Sequence, residues 1–238
     1  MNGEQISPLA GQLSRALPCG LAGVIFDCDG VLLDSEESNT RFYNLARAYF
    51  GLPPMSKAQE EFVHMHTSSQ SLEHVIPPGF MGRLREAVQS IDYVRDVIPY
   101  IRAEPGIYDL LQFLRGVGVK LAVHTNRSTF ADDLLERFHL KEYFNPIVTA
   151  SSCAPKPAPE GALCILQDWG IEPGMVMFVG DSRLDAQTAR SANLVFASFK
   201  NPDLESAVPV PGFGQMLAAL KEFFTMRRVI HAACPARG

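Results

Sequence analysis

Five short apolar segments, separated by helical patterns, constrain the fold of this 238-residue chain more than any other feature. The segments are the strand candidates Val24–Phe26, Val119–Val123, Pro146–Thr149, Val176–Val179 and Leu194–Ala197. Between them, Ile107–Leu114, Leu134–Phe138 and Glu160–Trp169 carry apolar residues at the spacing of a buried helix face. Strands that alternate with helices favour a parallel sheet covered on both faces. We therefore expect an α/β fold with a doubly wound parallel sheet.

One region, from about Glu36 to Arg102, interrupts this alternation because helical segments dominate it. Ser56 followed by Gln59 is typical of a capping box that begins a helix. We expect a helical insert after the first strand; the alternative is a set of extra helices packed flush on a single domain. The predicted divisions are an N-terminal extension over 1–20, a core over 21–35 and 103–225, the insert over 36–102 and a frayed tail over 226–238.

Composition excludes several classes of function. The net charge is −5 and no basic block is present, so a general nucleic-acid binder is not expected. No stretch approaches the roughly 20 apolar residues of a membrane span. The five cysteines are an odd number, widely spaced, which is typical of a reduced, intracellular protein. We expect a soluble cytoplasmic protein with no nucleic-acid or membrane partner, and the sequence leaves its oligomeric state open.

Paired carboxylates follow the first strand candidate. Asp27 and Asp29 lie two residues apart, and burial and mutual repulsion both disfavour their ionisation. A divalent cation would relieve this, and an all-oxygen site suits Mg²⁺. The pair could also divide its roles, one ionised as nucleophile and one protonated as acid. The simpler alternative is an Asp-Gly turn at Gly30.

Two further strand ends carry polar groups. Thr125 and Asn126 follow the second strand, where a hydroxyl, an amide and backbone N–H groups can hold phosphate oxygens; ordinary helix capping is the alternative. Asp181 follows a later strand, and Asp185 falls in the first turn of the next helix, where a simple cap is also possible. Lys156 lies on a Pro-flanked loop and could balance these charges, although a surface lysine is the simpler interpretation.

Taken in order, these segments resemble the four motifs of the haloacid dehalogenase-like hydrolase superfamily, over about residues 22 to 200. The motifs are Asp27-x-Asp29-Gly30-Val31, Thr125-Asn126, Lys156-Pro157 and Gly180-Asp181-Ser182-x-x-Asp185. The insert is similar to the small helical cap of the phosphatase and sugar-phosphate mutase branch. The resemblance thus implies a Rossmann-like core with a helical cap inserted after the first strand.

The resemblance also implies an activity, that of a Mg²⁺-dependent phosphatase acting on a small phosphorylated metabolite. Asp27 would attack phosphorus and form a phosphoaspartate. Asp29 would protonate the leaving oxygen and then deprotonate the hydrolytic water. Thr125, with the amide of Asn126, would hold the phosphoryl group, and Lys156 would neutralise it.

The metal ligands follow from the same resemblance. Mg²⁺ would be bound by Asp27, the backbone carbonyl of Asp29 and Asp181, with Asp185 close by. Two functions remain as alternatives: a β-phosphoglucomutase-like transfer within a sugar phosphate, and a phospho-acceptor signalling module, which is usually about half this length.

Departures from the family pattern concern substrate choice. Arg127 stands where small residues are more usual and could contact substrate anions. The insert carries no motif that names a substrate. The roles of four of its residues therefore stay open: His64, His66, Arg83 and Arg85.

Overall fold

The structure is a computed structural model that describes residues 6–65, 68–127 and 130–233. The strands are β1 Gly23–Phe26, β2 Leu33–Asp34, β3 Arg102–Ala103, β4 Lys120–Thr125, β5 Ile147–Thr149, β6 Val176–Gly180, β7 Val195–Phe199 and β8 Val208–Val210. The α-helices are α1 Pro8–Ala16, α2 Glu36–Tyr49, α3 Lys57–Met65, α4 Ser68–Val75, α5 Leu84–Gln89, α6 Tyr93–Asp96, α7 Ile107–Gly116, α8 Ala131–Arg137, α9 Glu160–Trp169, α10 Arg183–Ser191 and α11 Phe213–Ala233. Within these ranges, no helix is both long enough and apolar enough to cross a membrane.

Six strands form one parallel sheet in the order β5-β4-β1-β6-β7-β8. The central strand β1 is fully buried, and its last residue, Phe26, pairs with Val123 on one side and Val179 on the other. This register brings the carboxyl ends of β1, β4 and β6 to the same edge of the sheet. The predicted α/β fold with a doubly wound parallel sheet is therefore confirmed.

Neighbouring residues of β1 face opposite layers, because successive side chains of a strand point to opposite faces. Ile25 belongs to a core that includes Trp169 of α9 and Ala189 of α10. Phe26 packs edge-on against Phe213 of α11, with 6.2 Å between the ring centroids. Burial of such a side chain contributes roughly 1.5–3 kcal/mol, so both layers anchor the strand that leads to the site.

The edge strand β8 is an element that the sequence prediction lacks. Its central residue is Pro209, which has no N–H to donate to a strand neighbour. Proline is tolerated at a sheet edge, and β8 is the terminal strand, bonded to β7 alone within the sheet.

The chain divides into two compact units. The first comprises the residues up to Leu32 and from Ala103 onwards, and the second comprises Leu33–Arg102. The second unit contains α2 to α6 around a core of its own, with side chains such as Tyr43, Ala46, Met55, Val63, Val75 and Ile76. The predicted capping box is present before α3: the N–H of Ser56 donates to Gln59 Oε1 at 3.0 Å, and the N–H of Gln59 to Ser56 Oγ at 3.4 Å.

Helices α1 and α11 pack against each other. The predicted frayed tail over 226–238 differs from the structure in its first part, because α11 continues to Ala233. Arg227 holds the first of these extra residues in place: its guanidinium donates to the carbonyl oxygens of Leu17 and Pro18, at 3.0 and 2.9 Å. Helix α11 therefore continues past residue 226, where the arginines and small residues of the sequence predict a frayed tail.

Candidate active site

The candidate site residues predicted from the sequence lie together at the carboxyl ends of the parallel strands. Asp27 follows β1, Thr125 ends β4, and Asp181 follows β6. Asp185 lies in the first turn of α10, and Lys156 lies on the loop before α9. Topology alone thus brings segments more than 150 residues apart in sequence to one place.

Lys156 joins two of the carboxylates. Its ammonium nitrogen Nζ lies 2.7 Å from Asp27 Oδ1 and 2.6 Å from Asp185 Oδ1, and the residue is only 4% exposed. Burial by itself would lower the pKa of Lys156, but Asp185 and Asp27 outweigh burial and raise it. The ammonium therefore stays charged at any working pH.

Asp27 is held in one orientation. Its Oδ1 accepts hydrogen bonds from Lys156 and from the backbone N–H of Cys28, at 2.7 Å each. Both of these contacts fall on Oδ1. Burial raises the pKa of Asp27 well above its ordinary value, and Lys156 opposes this shift. Burial, together with the charge of Asp29, also raises the pKa of the Cys28 thiol, which therefore stays protonated and unreactive.

Three carboxylates form a cluster that fits a hard divalent cation. One oxygen from each of Asp27, Asp181 and Asp185 lies within 4.8 Å of the others. Burial, and then the charge of Asp185, raises the pKa of Asp181 to about 7. Gly30 allows the close approach: it has φ +75°, and a Cβ there would lie 2.1 Å from Asp181 Oδ2. All-oxygen donors with uncompensated charge are what Mg²⁺ prefers.

Asp185 is buried and already bonded at both oxygens. Oδ1 contacts Lys156, and Oδ2 accepts from the N–H and the hydroxyl of Ser182, at 3.0 and 2.6 Å. The N–H of Asp185 donates back to Ser182 Oγ, which completes a capping box at the start of α10. Asp185 therefore orients Lys156 more than it offers a free oxygen. The Ser-x-x-Asp spacing is the sequence signal for this cap.

Asn201 is a further residue of the site that the sequence prediction lacks. Its side-chain Nδ2 donates to the backbone carbonyl of Asp181 at 2.8 Å. It follows β7 with no local pattern around it, so only the fold reveals the contact.

The side-chain amide of Asn126 bonds the backbone of Lys156. The expected role of Asn126 at the phosphate stays a prediction. Its Oδ1 accepts from the Lys156 N–H at 2.6 Å, and its Nδ2 donates to the Lys156 carbonyl at 3.0 Å. Asn126 thus links the end of β4 to the loop that carries the buried ammonium.

The side chain of Asp29 forms an ion pair with Arg127. Arg127 Nη2 lies 2.5 Å from Asp29 Oδ1, and Arg127 Nε lies 3.1 Å from Oδ2. The N–H of Arg127 donates to the hydroxyl oxygen of Thr125 at 3.1 Å. Arg127, which departs from the family pattern, therefore lies at the same end of the sheet as the other candidate site residues.

His124 lies beneath the site, 1% exposed, with a ring nitrogen, Nδ1, for which the described part of the chain supplies no hydrogen-bond partner. Gly161 makes room for the ring, since a Cβ there would lie 2.4 Å from Nε2. Burial, and then the charge of Lys156, lowers the pKa of His124 from 6.5 to about 4. The imidazole is therefore neutral near pH 7.

Comparison with known proteins fixes the family. The family model for haloacid dehalogenase-like hydrolases matches residues 24–199. The chain belongs to this family. The resemblance seen in the sequence motifs is thereby confirmed.

Similar proteins agree with this membership. Phosphoglycolate phosphatase 1 of Pseudomonas aeruginosa is 31% identical over 183 residues, which cover 72% of this chain and 66% of that protein. A phosphoglycolate phosphatase of Nitrosospira multiformis is 30% identical, covering 74% of this chain and 81% of its own length. A subfamily IA hydrolase structure from Geobacter sulfurreducens superposes with a TM-score of 0.73 at 36% identity, covering 84% of this chain and 96% of that one. The chain spans just under two thirds of the Pseudomonas relatives' length.

The open residues of the second unit make contacts of their own. His64 Nε2 lies 3.3 Å from the Thr40 hydroxyl and 3.8 Å from Glu36. Arg83 donates to Glu86 at 3.0 Å. Arg85 lies in α5, and His66 falls outside the described residues.

Proposed function

We propose that this chain is a Mg²⁺-dependent phosphatase that hydrolyses a small phosphorylated metabolite, with phosphoglycolate as the first substrate to test. The observation that carries the proposal is the buried Lys156 ammonium shared by Asp27 and Asp185, with Asp181 in the same cluster. The phosphatase names of the relatives support the activity, and their phosphoglycolate names support the choice of substrate.

In the proposed reaction Asp27 Oδ2 attacks phosphorus, and the bond between phosphorus and the ester oxygen breaks. The products of this step are an aspartyl-phosphate and an alcohol, whose oxygen takes its proton from Asp29. Asp29 then accepts a proton from the water that attacks the aspartyl-phosphate. This second displacement restores the Asp27 carboxylate and releases inorganic phosphate, so atoms and charges balance.

The phosphoryl oxygens need donors that do not titrate. The Thr125 hydroxyl and the Lys156 ammonium are two such donors, and the backbone N–H of Asn126 is the third. Its side chain is committed to Lys156, so only the backbone of Asn126 would serve the phosphate. Donors fixed before the reaction stabilise developing charge without reorganisation.

Asp27, Asp181 and the backbone carbonyl of Asp29 would hold Mg²⁺, with Asp185 beside them. Bound Mg²⁺ supplies positive charge that offsets the repulsion between a carboxylate nucleophile and a phosphate dianion. Lys156 acts on the same repulsion from within the protein. The cysteines in the described range are free thiols, which supports a reducing, cytoplasmic location as part of the proposal.

The test is phosphate release from phosphoglycolate and from 4-nitrophenyl phosphate, with Mg²⁺ and with a chelator. We expect Mg²⁺-dependent release that falls at least about 10³-fold in Asp27→Asn. Asp168→Asn, an exposed position in α9, is the matched control and should keep native activity. Release that survives in Asp27→Asn would refute the nucleophile.

Two other outcomes would point to the alternatives. Conversion of a sugar phosphate without release of inorganic phosphate would indicate a mutase. An aspartyl-phosphate that persists for hours would indicate a signalling module.

A further inference from the structure

The ion pair between Arg127 and Asp29 is a feature that the proposed reaction leaves unused. Arg127 contacts both carboxylate oxygens of Asp29, and its side chain is 11% exposed, against 31% for Asp29. A guanidinium carries two parallel donors that match a carboxylate, so this is the geometry in which arginine binds carboxylates best. Arg127 is therefore held in place to present a fork to an anion.

The present partner of the guanidinium is Asp29, which the proposed reaction needs at the ester oxygen of the substrate. If Asp29 is to bond the ester oxygen, one of its oxygens must face the substrate, yet both contact Arg127 in this structure. The Arg127 N–H is fixed on Thr125 at 3.1 Å, so its backbone stays in place when the side chain changes partner. An anion on the alcohol portion of the substrate would arrive beside the ester oxygen, within reach of the same fork.

We propose that Arg127 is the specificity-determining residue for a carboxylate on the leaving alcohol, which replaces Asp29 as the partner of the guanidinium. The exchange removes the guanidinium from both oxygens of Asp29 and lets one of them bond the ester oxygen, so a carboxylate-bearing ester gains both binding and a positioned acid. An ester with a neutral alcohol offers no such exchange. This inference rests on the proposed phosphatase function.

The test compares two esters that differ only in charge: phosphoglycolate and its carboxamide analogue. For the native protein with Mg²⁺ we expect kcat/KM to favour the carboxylate by at least about tenfold, the effect typical of a charged hydrogen bond. In Arg127→Gln the ratio should fall to about one. Arg127→Lys, which keeps the charge and loses the fork, should give an intermediate ratio. Arg190→Gln removes an exposed arginine of α10 and should keep the native ratio.

The selectivity ratio separates recognition from a merely structural role, because a structural defect would slow both esters alike. A native ratio near one, or a native-like ratio in Arg127→Gln, would overturn the inference. The native ratio decides even if Arg127→Gln does not fold. Failure of the native protein to release phosphate from either ester or from 4-nitrophenyl phosphate would instead refute the phosphatase function, and this inference with it.

Discussion

Acidification should destabilise this protein through one buried imidazole, that of His124. The unfolded chain binds a proton on this ring near pH 6.5, whereas the folded chain does so only near pH 4. Between these values the unfolded state holds more protons, so stability falls as the pH falls, and the loss is complete below about pH 4. A gap of about 2.5 units at 1.36 kcal/mol per unit corresponds to about 3 kcal/mol.

The matched perturbation is His124→Leu, which removes the titrating group from a site that is 1% exposed. Urea unfolding of both proteins without Mg²⁺, at half-unit steps from pH 7.5 to 4, gives the free energy of unfolding of each. Titration of Asp181 and Asp27 affects both proteins, so the difference between the two curves isolates His124. We expect the native protein to lose about 1.4 kcal/mol per pH unit relative to the variant below pH 6. A difference that does not change with pH would refute the reasoning.

Four further predictions concern the site. Lys156→Met leaves buried carboxylates without their cation and should destabilise the Mg²⁺-free protein by about 3 kcal/mol or more, measured by urea unfolding at pH 7. Asn126→Ala removes both bonds to the Lys156 backbone; unfolding should become easier by about 1–3 kcal/mol and kcat should fall, and an unchanged stability would contradict the bridging role. Gly30→Ala should weaken Mg²⁺ affinity at least about tenfold, since the new Cβ displaces Asp181, whereas Gly174→Ala, where a Cβ meets open space, should not; titration calorimetry measures both. Mg²⁺ binding at pH 7 should release about half a proton from Asp181, because the pKa of this residue is about 7 without the ion; a binding heat that is the same in buffers of different ionisation enthalpy would contradict this.

The sheet, and the end of it where the candidate site residues lie, could be predicted from sequence because both depend on local patterns. Each central strand is a short apolar run, and parallel strands bring their carboxyl ends to one edge, where Asp27, Thr125 and Asp181 follow. The edge strand β8 could not, because a proline at its centre hides the strand pattern. The end of α11 could not be predicted from local sequence either, since Arg227 bonds Leu17 and Pro18, which lie 210 and 209 positions earlier in the chain.

The hydrogen-bond partners of the side chains within the site could be identified only from the folded structure. Asn126 and Arg127 are neighbours at the end of β4, yet one bonds the backbone of Lys156 and the other bonds Asp29. Which partner each selects depends on how two other loops approach β4, and no spacing within the chain encodes that approach. The residue types therefore indicated the chemistry of the site, but they did not indicate which partner each side chain bonds.

The charges at this edge argue for an order of binding. Four carboxylates, those of Asp27, Asp29, Asp181 and Asp185, face two permanent cations, Lys156 and Arg127, which leaves a formal charge of −2. The raised pKa values of Asp27 and Asp181 are the consequence of burying that imbalance. A phosphate dianion would add two more negative charges to it, whereas a divalent cation bound first brings the four ionised carboxylates and the two cations to neutrality. Phosphate affinity should therefore depend on Mg²⁺ even in a variant, such as Asp27→Asn, that cannot carry out the first displacement.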